Sequence, residues 1–335
     1  MSVNRRRRPT ERGNMLETTS VGSFPKPPYL TKARAEHQRG RIGDTELVDL
    51  ERRATTEWIH AQEQIGIDIL VHGEMERGDM TTYFAEQLEG YGVSGLVRSY
   101  GNRYYRKPII ESALVRNKPM SVAAFEFAQS LTSRPVKGML TGPYTMCDWS
   151  FDEHYTTRRE AVLALAHIIH EEVADLEAAG ARYIQIDEPA ISTRPDEIDL
   201  AIAAMAIVTD GIKATTISHI CYGDFRTIYP RILSLPVDML DLEFANSHFN
   251  NLDIFRTPRF TKKISVGVLD VHSHVLETKE QVKEGIRRSL EVFSPEQVWF
   301  DPDCGLKTRT VDEAKAKLRV LVEAVQDIKR EMRLQ

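Results

Sequence analysis

Short apolar, β-branched runs alternate along this chain with longer stretches whose apolar residues recur every three or four positions. Eight runs predict strands: LETTS from Leu16, IDILVHG from Ile67, VKGMLTG from Val136, RYIQID from Arg182, ATTISH from Ala214, VDMLDLE from Val237, KISVGVLD from Lys263 and QVWFD from Gln297. The stretches between them predict helices. DTELVDLERRATTEWIHAQEQIG opens on Asp44 as its expected N-cap, RREAVLALAHIIHEEVADLEAAG stops at Gly180, and TVDEAKAKLRVLVEAVQDIKREM is capped by Thr310. Strand–helix alternation repeated eight times predicts parallel βαβ units closed into a single (β/α)8 TIM barrel, an α/β fold, in preference to a doubly wound open sheet. The rhythm breaks between Gly90 and Pro119, where Gly, Tyr and basic residues predict an excursion after the second strand with a hairpin of its own.

Composition narrows the picture in three ways. A barrel of this class needs about 250 residues, so 335 leave room for the excursion within one domain expected over 15–335. Residues 1–14 hold the run Arg5 to Arg8 and predict a solvated, disordered basic arm. The net charge of −5 gives no reason to expect a nucleic-acid partner, and no stretch approaches the roughly 18 apolar residues of a membrane span. Three scattered cysteines, Cys147, Cys221 and Cys304, are too few for a disulfide framework. They point to a reducing, cytoplasmic compartment.

In such barrels the reaction site lies at the C-terminal ends of the strands. SHICYGDF puts His219 and Cys221 two residues apart at the end of the fifth run, on the same side of an extended strand. Glu243 ends the sixth run, and Cys304 follows the eighth in DPDCGL. One imidazole, two thiolates and one carboxylate match the donor set that Zn2+ takes in tetrahedral geometry, the carboxylate being the most exchangeable.

Other rim positions suit an amino acid or a planar ligand. Gly22 and Ser23 in SVGSFPKP would offer N–H groups and a hydroxyl to a carboxylate, or form a simple turn. Glu74 in VHGEMERGDM and Asp187 with Glu188 in IQIDEPA would hold an ammonium group, or serve as caps and structural ion pairs. Trp149 in GPYTMCDWSF is an aromatic plate or plain packing. LDVHSH carries His272, a candidate proton relay, and His274, which makes the two a rival metal pair. His167 and His170 share a helix face away from the rim, and Cys147 reads as a passive small residue.

Taken together, TTSVGSFPKP, HGEMERGDM, SYGNRYY, GPYTMCDWSF, QIDEPA, SHICYGDF, LEFAN, VGVLDVHS and DPDCGLKTR resemble the catalytic C-terminal barrel of the cobalamin-independent methionine synthase family. The resemblance implies a methyltransferase of methionine biosynthesis that moves a methyl group to the thiol of homocysteine. It makes His219, Cys221, Glu243 and Cys304 the zinc ligands and sets Val21, Gly22, Ser23, Glu74 and Asp187 on homocysteine. It puts Arg103, Tyr104 and Trp149 on the methyl donor and makes His272 the proton donor. The chain is too short for the additional N-terminal barrel of the long family members, so it resembles their short, core-only forms. The long enzymes carry a folate-contacting glutamate six residues past the aspartate of the DEPA motif, and that position here is Thr193. The implied donor is accordingly methyltetrahydrofolate or a methylcorrinoid, the latter free or on a carrier protein. Two alternatives share the architecture: a zinc-dependent alkyltransferase acting on another thiol such as coenzyme M, and a metal-free barrel resembling uroporphyrinogen decarboxylase.

Overall fold

The computed structural model describes residues 15–98, 104–258 and 260–334, so the arm 1–14 lies outside the described residues. Among the described residues nine strands form: β1 (Glu89–Arg98), β2 (Tyr104–Val115), β3 (Gly138–Thr141), β4 (Phe151–Asp152), β5 (Tyr183–Asp187), β6 (Thr215–Ile220), β7 (Met239–Glu243), β8 (Lys263–Leu269) and β9 (Val298–Pro302). Six of them make one parallel sheet in the order β3-β5-β6-β7-β8-β9. Each neighbour follows the last in chain order, which is the connectivity of βαβ units.

The first two predicted strands survive as single bridges, Thr18 to Phe300 of β9 and Leu70 to Val136 just before β3. They still close the ring. Phe300 N–H donates to Glu17 O (2.9 Å), Ile69 N–H to Thr18 O (3.1 Å), and Lys137 N–H to Leu70 O (2.9 Å). Side chains replace the missing ladder: Asp68 accepts from Thr18 N (2.8 Å) and Thr18 Oγ1 (2.9 Å). Asp238 repeats the clasp on Thr216 between β6 and β7, so both joints sit at the N-terminal end of the barrel.

Every residue of β7 and β9 is buried, as expected of parallel strands covered on both faces. Side-chain alternation then sorts the interior into layers. Ile69, Ile217, Met239 and Trp299 pack into an apolar plug near the strand starts. Two residues further along β5, β6, β7 and β9 stand Gln185, His219, Asp241 and Asp301, all buried and polar. The barrel therefore turns from apolar to polar along its axis, toward the rim where chemistry was expected.

Capping boxes start the outer helices Arg158–Ala178, Lys279–Leu290 and Val311–Glu331, set by Thr157 with Glu160, Thr278 with Gln281 and Thr310 with Glu313. The helix Asp44–Ile65 corrects one expectation: its N-cap is Gly43, in extended conformation. Asp44 occupies the first turn, where its carboxylate suits the helix dipole and lies 2.7 Å from His37 Nε2. The excursion folds as predicted, with β1 antiparallel to β2 and the short β4 beside it.

Candidate metal centre

The β6–β7 register sets His219 opposite Asp241. His219 Nδ1 donates to Asp241 Oδ1 at 3.0 Å. A carboxylate can only accept here, which keeps the proton on Nδ1 and turns the Nε2 lone pair toward the rim. Nε2 is buried and has no hydrogen-bond partner. Burial pulls the imidazole down, but Asp241 outweighs it and holds His219 well above its ordinary range in the metal-free state.

Two residues on, Cys221 Sγ lies 3.9 Å from Cys304 Sγ, although 83 positions separate them in the chain. The hydrogen bond between them splits their behaviour: it pulls Cys304 well below the usual thiol range, helped by the charge of the nearby His219, while Cys221 is pushed up. His219, Cys221 and Cys304 present ligand atoms that all lie within 4.8 Å of one another. Bonds of about 2.3 Å at tetrahedral angles would separate two metal-bound sulfurs by about 3.8 Å. The donor set and spacing thus fit a tetrahedral ion.

Glu243, the fourth predicted ligand, ends β7 beside this trio but does not join its tight grouping. Its Oε1 accepts from Tyr222 N (2.7 Å), while Oε2 is buried without a partner. Burial raises the carboxyl above its usual value. Tyr222 supplies that N–H by adopting φ 59°, a left-handed conformation uncommon for a side-chain-bearing residue. Asp303, fully buried, accepts from the amides of Phe244, Ala245 and Asn246 at 2.6–3.0 Å, fastening the loop after Glu243 to the loop that carries Cys304.

The predicted amino-acid pocket adjoins these thiols. Ser23 O accepts from Leu306 N (2.7 Å). A Cβ on Gly305 would stand 2.1 Å from Ser23 Oγ and 3.3 Å from Ser23 Cβ, so a side chain there would displace Ser23 beside Cys304. A Cβ on Gly22 would likewise come within 2.9 Å of Glu74 Oε1. Glu74 is buried at φ 59° and faces the guanidinium of Arg77 at 3.4 Å. Asp187 ends β5 and accepts from Gln185 at 2.7 Å; burial first of all pushes it up to about 7. Glu188 plays the capping part left open for it, accepting from Tyr144 N (3.0 Å), Thr145 N (2.7 Å) and Thr145 Oγ1 (2.7 Å) at the start of the helix Pro143–Asp148. Trp149 ends that helix, half-buried.

His272 is exposed at the mouth, its ring 5.2 Å from that of Tyr222. His274 turns away to Glu313, so the rival metal pair does not converge. Arg103 lies outside the described residues, and Tyr104 opens β2. Asp241, Asp303 and Arg77 were missed from sequence. The available signal was a charged residue amid apolar ones at an inward strand position, as in MLDLE for Asp241.

Parallel strands closed around a polar interior, with an imidazole and two thiols converging at the C-terminal rim, define an α/β barrel whose rim residues could hold a metal ion. Residues 16–327 match the cobalamin-independent synthase, catalytic domain, and the chain belongs to that family. It is 40% identical over 324 residues to the 5-methyltetrahydropteroyltriglutamate--homocysteine methyltransferase of Rhodopseudomonas palustris (strain TIE-1), covering 93% of this chain and 41% of that protein. The chain thus spans about two fifths of the length of such curated relatives. The methionine synthase of Sulfurisphaera tokodaii (strain DSM 16993 / JCM 10545 / NBRC 100140 / 7) is 37% identical over 320 residues, covering 95% of this chain and 94% of its own. The solved structure of a B12-independent methionine synthase from Shewanella sp. W3-18-1, in complex with selenomethionine, superposes with a TM-score of 0.85 at 28% identity, covering 96% of this chain and 100% of that one. Among the described residues, no helix is long and apolar enough to cross a membrane.

Proposed function

We propose that this chain transfers a methyl group to the thiol of homocysteine, giving methionine, with Zn2+ as its cofactor. The observation that carries the proposal is the convergence of His219, Cys221 and Cys304 ligand atoms within 4.8 Å, around a buried Nε2 that nothing else satisfies. An ion held by these three and Glu243 would supply the Lewis acidity that keeps a coordinated thiol deprotonated at neutral pH.

The chain's own residues do the rest. Asp241 fixes the His219 tautomer, and the two thiolates keep the site electron-rich. Glu243 is suited to yield its place, because Tyr222 N holds Oε1 and keeps one hydrogen bond on the released carboxyl group. Glu74 and Asp187 would take the ammonium group, and the N–H groups of Gly22 and Ser23 the carboxylate. With methyltetrahydrofolate as donor, beside Trp149, the new bond is sulfur–carbon and the broken one carbon–nitrogen. The leaving nitrogen keeps the electron pair and takes a proton delivered through His272. A methylcorrinoid donor, free or on a carrier protein, would need no such acid.

The test is to incubate zinc-loaded protein and homocysteine in parallel with methyltetrahydrofolate, its polyglutamate form, or methylcobalamin, and to measure methionine. Methionine from any one supports the proposal and identifies the donor. No methionine from any of them, with zinc retained, would refute homocysteine methylation by these free donors.

A further inference from the structure

Between the metal centre and the apolar plug lies a cationic side chain that the reaction above does not use. Lys137 precedes β3, is 1% exposed, and donates from Nζ to Gln185 Oε1 at 2.5 Å. Burial lowers the Lys137 pKa, and Asp241, Asp301 and Asp187 oppose that through the interior in favour of the ammonium form. An ammonium group can only donate, so it fixes which end of the Gln185 amide points where. Oε1 is committed to Lys137, and the two N–H groups of Nε2 must face the other way. They find Val21 O at 2.8 Å and Asp187 Oδ1 at 2.7 Å.

Those two acceptors belong to the two halves of the amino-acid pocket. Asp187 is the ammonium side. Val21 O shares its peptide plane with Gly22 N–H, and in a trans peptide the two point in opposite directions. Holding the Val21 carbonyl onto Gln185 therefore aims the Gly22 N–H away from Gln185, fixing the direction of a donor on the carboxylate side. One amide ties together segments 164 positions apart.

We propose that Gln185, oriented by the buried Lys137, is a positioning residue that sets the spacing between the Val21–Ser23 segment and Asp187 and so matches the pocket to an α-amino acid. The role rests on the amino-acid pocket proposed above. Gln185 touches no substrate in this scheme. It differs from an ordinary core contact in polarity: a glutamate keeps the shape and the Lys137 contact, yet loses both donors and sets an oxygen against Asp187 and Val21 O.

The test uses zinc-loaded full-length protein, with Gln185→Glu and Gln185→Leu compared to the parent by calorimetric binding of L-methionine and of 4-(methylthio)butanoate, which lacks the ammonium group. Both variants should keep their zinc content and bind L-methionine at least tenfold more weakly. Affinity for the desamino compound, which reports only the carboxylate side, should fall less than that for L-methionine, and homocysteine KM should rise far more than kcat falls. If Gln185→Leu fails to fold, Gln185→Glu carries the test alone. Unchanged L-methionine binding in Gln185→Glu, or equal losses for both ligands, would overturn the positioning role. Failure of the parent protein itself to bind L-methionine would instead bring down the amino-acid pocket, and this role with it.

Discussion

Replacing Asp241 by alanine removes the acceptor of the His219 Nδ1 proton while leaving all four candidate ligands in the chain. Two routes give the expected size of the effect. Losing an outer partner of a metal-bound histidine costs about 10- to 100-fold in metal affinity, or about 1.4–2.8 kcal/mol at roughly 1.4 kcal/mol per tenfold. A buried hydrogen bond to a charged group contributes about 1.5–3 kcal/mol, which agrees. The cause is the tautomer: without Asp241 the proton is free to settle on Nε2, where it competes with the ion. Stability without metal should fall too, because in the metal-free state Asp241 is the buried partner that holds the His219 imidazole above its ordinary range and faces Lys137. The expected result is thus a zinc Kd weakened by 10- to 100-fold in a competitive titration against a chromophoric chelator. The apo-protein melting temperature should be lower. Asp241→Asn, whose amide oxygen can still accept, should fall between. A parental Kd in Asp241→Ala would refute the assignment of the proton to Nδ1 and of Nε2 to the metal.

Other expectations follow from single contacts. Cys304→Ala should abolish both zinc retention, measured by metal analysis after dialysis, and methionine formation; full activity in a metal-free variant would reject the scheme. Lys317, completely buried, donates to Asp270 O, Val275 O and Glu277 Oε2, so Lys317→Met should cost about 3–5 kcal/mol in urea unfolding, the size expected when a buried ion pair loses one member. The same variant should admit proteolysis within 270–277, the loop that carries His272. Glu17 is raised to about 6 by burial, then by Asp68, so the folded protein binds its proton more tightly than the unfolded chain. That contribution makes stability fall as pH rises from about 4.5 to about 6 and stay level above. Glu17→Gln should raise the melting temperature at pH 7 and leave it unchanged at pH 4; solvent screening at this half-buried site keeps the gain under about 1 kcal/mol.

Much of this architecture was legible in one dimension, because what decides it is local. Hydrophobic period sorted strands from helices, and Thr157 with Glu160 or Thr310 with Glu313 announced helix starts at fixed spacing. Two-residue alternation put His219 and Cys221 on one side of β6, and the barrel rule sent Glu243 and Cys304 to the same rim. Local preference also explains one miss: Asp44 is a good cap by type, but Gly43 before it takes the extended conformation and the cap position.

The rest was decided only by the closed ring. Periodicity tells which face a residue occupies, yet carries no register between strands and no closure between chain ends. Tertiary structure alone brings Cys304 to 3.9 Å from Cys221, sets Asp241 opposite His219, and joins Thr18 to Asp68 where a longer strand was expected. It also settles Glu188 as a helix cap, turns His274 to Glu313, and lets buried Lys137 orient the amide between Val21 and Asp187. These contacts span 22 to 164 residues of chain. Their energies depend on distances of about 3 Å, which only the packed barrel supplies.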